Sequence, residues 1–211
     1  MFSMVEISSR PTIVEDALNF DAEFVARTPE NRYTVAAEIN EAESAGVTTT
    51  SNRYLLTQYD AFLSQKDYLF VNAKAEQDKL ADLNLRTSLG AGYGYQFLET
   101  EIAKMSAEVG LAYINEDYEI APDESFPSLN LGLNYERKFW NKRLVFFNNN
   151  DLSVSLEDTA DALFKTKVGL RVPIVENVNV ATQVNVDYDN MPPPGVKKTD
   201  TSLIFSVGYG F

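Results

Sequence analysis

Asn177-Val178-Asn179-Val180-Ala181-Thr182-Gln183-Val184-Asn185-Val186-Asp187-Tyr188 alternates without a break. Val178, Val180, Thr182, Val184, Val186 and Tyr188 fall on one side of an extended chain. Asn177, Asn179, Ala181, Gln183, Asn185 and Asp187 fall on the other. A period of two marks a strand with one dry face, whereas a helix would scatter these residues around its axis.

The same pattern extends in both directions. Downstream, Leu203, Phe205, Val207, Tyr209 and Phe211 oppose Ser202, Ser206, Gly208 and Gly210. Upstream, Phe164, Thr166, Val168, Leu170 and Val172 oppose Lys165, Lys167, Gly169 and Arg171. Further strands are read at Leu129–Tyr135, Met105–Tyr113, Leu85–Phe97, Leu69–Ala75, Leu55–Leu63, Tyr33–Ile39 and Leu18–Ala26. In 143–156 the run Phe146-Phe147-Asn148-Asn149-Asn150-Asp151 breaks the alternation and predicts a bulge or a change of partner. Met4–Ser9 reads as a short first or edge strand. The pattern therefore predicts an all-β antiparallel up-and-down barrel of about 12 strands in one domain, 1–211.

The connections alternate in length. Thr28–Asn31, Ser64–Asp67, Leu98–Glu101, Asn141–Lys142 and Val175–Asn177 read as tight turns. Ser9–Glu15, Glu41–Asn52, Gln77–Asp82, Asn115–Phe126, Glu157–Asp161 and Asp189–Thr201 read as longer loops. In a meander, alternate connections emerge at the same end, so one end is trimmed and the other carries the loops. Outer-membrane barrels have this asymmetry.

Alternation alone does not say which face is dry. Strands of about ten residues, tilted by about 45°, suit a hydrocarbon layer better than a globular core. Tyr33, Phe62, Tyr95, Phe97, Phe139, Trp140, Tyr209 and Phe211 gather toward the short-turn end, as an interfacial girdle would. The chain closes on Tyr209-Gly210-Phe211, and with Val207 these residues resemble the signal read by the barrel assembly machinery. A soluble lipocalin-like binding barrel is the less favoured alternative, since about twelve strands enclose more space than side chains readily fill.

Composition removes much chemistry. There is no histidine and no cysteine, which excludes a structural zinc site, a disulfide, a thiol nucleophile and an imidazole base. Neither an enzyme nor a cofactor is expected. A net charge of −13, from 18 basic and 31 acidic residues, argues against nucleic acid. No apolar run is long enough for a spanning helix, and no export signal opens the chain. The protein is then either kept in the cytoplasm or a mature form whose export signal has been removed.

Leu89-Gly90-Ala91-Gly92-Tyr93-Gly94-Tyr95-Gln96-Phe97-Leu98-Glu99-Thr100-Glu101 resembles a bacterial family of salt-induced outer membrane proteins, domain of unknown function 481. Gly110-Leu111-Ala112-Tyr113 with Glu116, Leu131-Gly132-Leu133-Asn134-Tyr135, and Asp189-Asn190 through Pro193 and Lys198-Thr199-Asp200-Thr201 resemble it too. The first 17 residues match poorly, with Ser8-Ser9-Arg10-Pro11 in place of a Gly-rich first strand and turn. The resemblance implies an outer-membrane β-barrel of Gram-negative bacteria, without a settled activity.

If the apolar faces meet lipid, the polar faces line a lumen. Its expected charges are Asp21, Glu23, Glu38, Asp60, Lys74, Glu76, Lys104, Glu108, Glu136, Lys165, Lys167 and Arg171. The ladder Lys165/Lys167/Arg171 then lies across from the acids of the early strands. Such opposed walls either set a transverse field over a wet pore or pair and plug it. Gly90, Gly92, Gly94, Gly132, Gly208 and Gly210 on the same side leave room for larger side chains or relieve curvature. Asp78, Asp82, Glu116, Asp117, Glu119, Asp123, Glu124, Glu157, Asp158 and Asp161 crowd the loop end, as a solvated acidic rim or, less favoured, a divalent-cation site. The functions in view are a passive channel for small polar or ionic solutes or a stress-induced structural component, and alternatively a closed barrel that engages a surface partner through its acidic loops. The expected surroundings are outer-membrane lipid and lipopolysaccharide, with the protein a monomer.

Overall fold

The computed structural model describes residues 16–175 and 178–209. Eleven strands among them form one antiparallel sheet in strict chain order. They are β1 (Asp16–Arg27), β2 (Asn31–Ser44), β3 (Val47–Phe62), β4 (Asp67–Asp78), β5 (Leu83–Glu99), β6 (Ala103–Tyr118), β7 (Glu124–Phe139), β8 (Leu144–Ser155), β9 (Ala162–Val175), β10 (Val178–Asp189) and β11 (Thr199–Tyr209). The additional strand expected at Met4–Ser9 lies outside the described residues, as does Phe211.

The sheet is curled so that its polar face lies inside. Side chains of β9 reach β4 and β2, which a flat sheet in this order could not allow. Leu89, Leu111 and Val71 stand outward at 70%, 59% and 54% exposure, whereas Asp60 and Ser128 are fully buried on the inner side. This inverts the usual globular arrangement and matches a barrel with an apolar band against lipid. Strands of 11 to 17 residues exceed the length needed to cross at a tilt.

At the short-turn end Tyr33, Phe97, Phe139 and Trp140 are exposed, with the Tyr59 ring tilted against Tyr33 at 4.8 Å and Tyr95 edge-on to Phe97. Phe62 departs from the expected girdle. Its register places it on the inner face with Asp60, and the guanidinium of Arg27 sits 4.4 Å above its ring.

Two local expectations are overturned. The stretch 143–156 has no bulge: β8 pairs in unbroken register with β7 and β9. Asn148 and Asn150 take the outer face and hydrogen-bond each other, so the alternation of polarity fails while that of the backbone continues. Glu41–Asn52 is not a long loop. β2 and β3 continue through it to a tight turn at Ala45–Gly46, where φ of 52° and 74° suits the twist of a two-residue hairpin. Bulges occur elsewhere, at Gln96/Leu98 among other places.

Candidate functional site

Glycines determine how the interior fills. On β5, Gly90, Gly92 and Gly94 face inward, and large side chains of β4 lie flat over them. A Cβ on Gly94 would stand 2.1 Å from the Tyr68 ring, and one on Gly92 would stand 2.7 Å from the Phe70 ring. Gly169 on β9 makes the same allowance for Phe147, at 2.3 Å. Of the two readings open for these glycines, room for bulk holds at these positions; Gly132 has only ordinary contacts. Replacing Gly94 by alanine should force Tyr68 out of its place and cost about 1–3 kcal/mol of unfolding free energy, measured by urea titration of the protein in vesicles. An unchanged midpoint would mean that Tyr68 can tilt away freely.

Around Tyr68 the interior is knit by polar groups. Its hydroxyl donates to Glu108 Oε1 at 2.7 Å, and Gln58 Nε2 donates to Glu108 Oε1 at 3.1 Å and to Asp60 Oδ1 at 2.9 Å. Arg32 Nε donates to Asp60, with its guanidinium 4.9 Å over the Tyr68 ring. Tyr68 and Asp60 are both 0% exposed. Nearer the short-turn end, Arg27 Nη1 donates to Glu99 Oε1 at 2.7 Å.

Toward the loop end, ion pairs cross the interior. Lys165 Nζ on β9 lies 2.7 Å from Glu76 Oε1 on β4. The second oxygen of Glu76 is 3.3 Å from Arg86 Nη1 on β5, and Arg86 Nε donates to Glu116 Oε1 on β6 at 2.5 Å. At mid-height Lys167 on β9 pairs with Glu38 on β2, with Asp21 and Asp187 close enough to act on its ammonium. Lys74–Asp151 and Arg171–Glu136 stand at 3.7 Å. The basic ladder and the acidic wall expected from the sequence therefore touch, rather than face each other across open water.

These braces divide the interior. Between β4 and β8 a cavity of about 20 Å³, room for a single water, is lined by Phe70, Asn72, Lys74, Glu108, Gly132 and Asp151. On the other side, the inner faces of β1, β10 and β11 carry Asp21, Glu23, Asp187 and Asp200, all four exposed.

All twelve charges expected on the polar face fall on the inner side of their strands. Glu38, Glu76, Lys74, Glu136, Lys165, Lys167 and Arg171 form ion pairs there, while Asp60 and Glu108 join the Tyr68 network. Lys104 stands at the short-turn rim, opposite Glu136. Arg32, Arg86, Tyr68, Asp151 and Asp187 were not among the expected residues, and Glu116 was assigned to the rim. A signal for the Arg86 cluster was present: once the hairpin registers are counted, Glu76, Arg86 and Glu116 lie directly abreast on three neighbouring strands. Of the residues read as an assembly signal, Val207 faces outward and Tyr209 ends β11.

The acidic loops accept hydrogen bonds from their own backbone and from that of a neighbouring loop. Asp78 accepts from the backbone N–H groups of Leu80 and Ala81, and Asp82 from those of Ile120 and Ala121. Asp161, between β8 and β9, is different. Burial and the neighbouring charges of Glu116, Asp189 and Glu124 push its carboxyl up to about 6. A raised folded-state pKa means that the folded form holds a proton that the unfolded form has released between about pH 4 and 6. The contribution of Asp161 is thus fully favourable below about pH 4 and is lost as pH rises through 6. Asp161→Asn should flatten the stability profile over that interval, measured by urea midpoints from pH 4 to 7.5. An identical profile would remove Asp161 as the source.

Known proteins resemble this chain. The structure resembles a bacterial polysaccharide outer membrane secretin with a TM-score of 0.50 at 9% identity, over 92% of this chain and 80% of that one. The outer membrane channel DcaP of Acinetobacter baumannii gives 0.47 at 12% identity, over 100% of this chain and 70% of that one. Among curated sequences, the uncharacterized protein YdiY of Escherichia coli (strain K12) is 27% identical over 159 residues. That match spans 75% of this chain and 58% of the relative. Residues 15–211 match the family described as "Protein of unknown function, DUF481", and the chain belongs to that family.

Proposed function

We propose that the protein resides in the bacterial outer membrane and passes small cations and polar solutes through a narrow, acid-lined side of its lumen. The observation that carries this reading is the Lys167–Glu38 brace between β9 and β2. It pairs the mid-height basic charge of β9 with an acid of β2, and Glu23, Asp187 and Asp200 lie on the inner faces of the neighbouring strands. A wall of one sign within low-dielectric surroundings concentrates counter-ions and rejects co-ions. No catalytic step belongs to this reading. Outer-membrane lipid and lipopolysaccharide would surround the barrel, and the assembly machinery would read Val207, Tyr209 and Phe211.

In planar bilayers, Asp187→Asn should move the reversal potential in a salt gradient toward zero. Lys165→Gln with Lys167→Gln should raise the conductance severalfold by removing two braces. Unchanged selectivity and conductance in protein shown to be inserted would exclude this path. A second reading draws on the complete burial of Tyr68 and Asp60, in which the lumen is closed and the acidic loops engage a surface partner. It predicts no current from any of these variants.

A further inference from the structure

The outer face of β8 holds a polar cluster where lipid would be expected. Asn150 Nδ2 donates to Asn148 Oδ1 at 2.7 Å, and Thr166 Oγ1 on β9 donates to Asn150 Oδ1 at 2.8 Å. The remaining contacts are long. Asn148 Nδ2 reaches Thr166 Oγ1 at 3.3 Å and both Asn150 Oδ1 and the Lys167 carbonyl at 3.4 Å, and Asn150 Nδ2 reaches the Leu133 carbonyl at 3.4 Å. All three side chains are half-buried, so part of each faces outward. They lie near the middle of β8 and β9. At comparable positions elsewhere the outer face presents Val35, Leu55, Val71, Leu111, Val184 and Leu203.

Two carboxamides at this depth have poor prospects alone. Hydrocarbon offers no partner, and weakly bonded amide N–H groups in it are costly. A carboxamide is both donor and acceptor and therefore matches another of its kind. Copies of one barrel insert in the same direction, so Asn148 and Asn150 of two copies lie at the same height. A different protein would need polar groups placed at that height by chance. We infer that this strip is a self-association surface, where a second copy of this chain pairs its Asn148/Asn150 amides with these in a symmetric contact. Tyr135 and Phe146, 6.1 Å apart on the same face, add apolar contact beside it. This replaces the monomer expected from the sequence and does not depend on whether the lumen conducts.

The chain has no cysteine, so a single one reports position cleanly. Full-length Asn150→Cys protein in phosphatidylcholine vesicles should form a covalent dimer under mild oxidation, while Leu111→Cys on another part of the wall should stay monomeric. Energy transfer between labelled copies of the otherwise unsubstituted protein should show association. The double variant Asn148→Val/Asn150→Val removes polar groups from lipid and should still fold, with its association constant lowered at least tenfold. No crosslink at position 150, equal crosslinking at 111, or undiminished association of the folded double variant would each overturn the inference. So would exclusive crosslinking of Asn150→Cys in native membranes to a protein of another mass.

Discussion

Arg86→Met should lower the unfolding free energy by about 3–5 kcal/mol, the usual consequence of removing one member of a buried charge group. The guanidinium bridges Glu76 and Glu116, whose side chains are only 15% and 5% exposed. Without it, Glu76 retains Lys165, but Glu116 keeps, among the described residues, only the Tyr118 hydroxyl. A buried carboxylate with one neutral donor must either protonate or draw water inward. Adding Glu116→Leu to Arg86→Met should recover much of the loss, because the orphaned charge goes too. A loss below about 1 kcal/mol, typical of exposed pairs, would mean that water reaches this cluster freely.

On the proposed outer-membrane reading, Leu111→Arg should cost about 2–4 kcal/mol, because it would put a guanidinium at the bilayer midplane. Leu111 lies near the centre of β6, and its side chain is 59% exposed on the outer face. The same change at Gln183, a polar side chain on the inner face of β10 that donates to Asn185, should cost less, although Lys167 and Arg171 flank its partner Gly169 on β9. The contrast between the two sites tests the inside-out assignment itself. In a soluble barrel the ordering would reverse. Folding from urea into vesicles of defined lipid gives both numbers in one system.

Much of this architecture was legible because polarity and backbone share a period of two. The strand Val178–Tyr188 could be read from its own residues, and its partners at 163–172 and 202–207 followed in the same way. Reading failed where polarity and backbone part company. In β8 the amides at 148 and 150 pair with each other and with Thr166, so polar residues take the outer face without disturbing the register. At 41–52 the charged and hydroxyl residues looked like loop, yet cross-strand bonding continued to the turn at Ala45–Gly46.

The charges expected on the polar face lie on the inner side of their strands, but their partners are only partly legible from the sequence. Lys165 meets Glu76 and Lys167 meets Glu38 across 89 and 129 residues, distances fixed by the curvature of the whole sheet rather than by any local pattern. The abreast trio Glu76, Arg86 and Glu116 was within reach of hairpin counting. Tyr68 and Phe70 required the further step of seeing that Gly94 and Gly92 provide the floor beneath them.

Single-channel current of the unsubstituted protein, refolded and inserted in a planar bilayer under a potassium chloride gradient, tests the account most directly. Discrete small steps with a reversal potential on the cation-selective side are the predicted result. Protein shown to span the bilayer that passes no current, or that favours chloride, would contradict it.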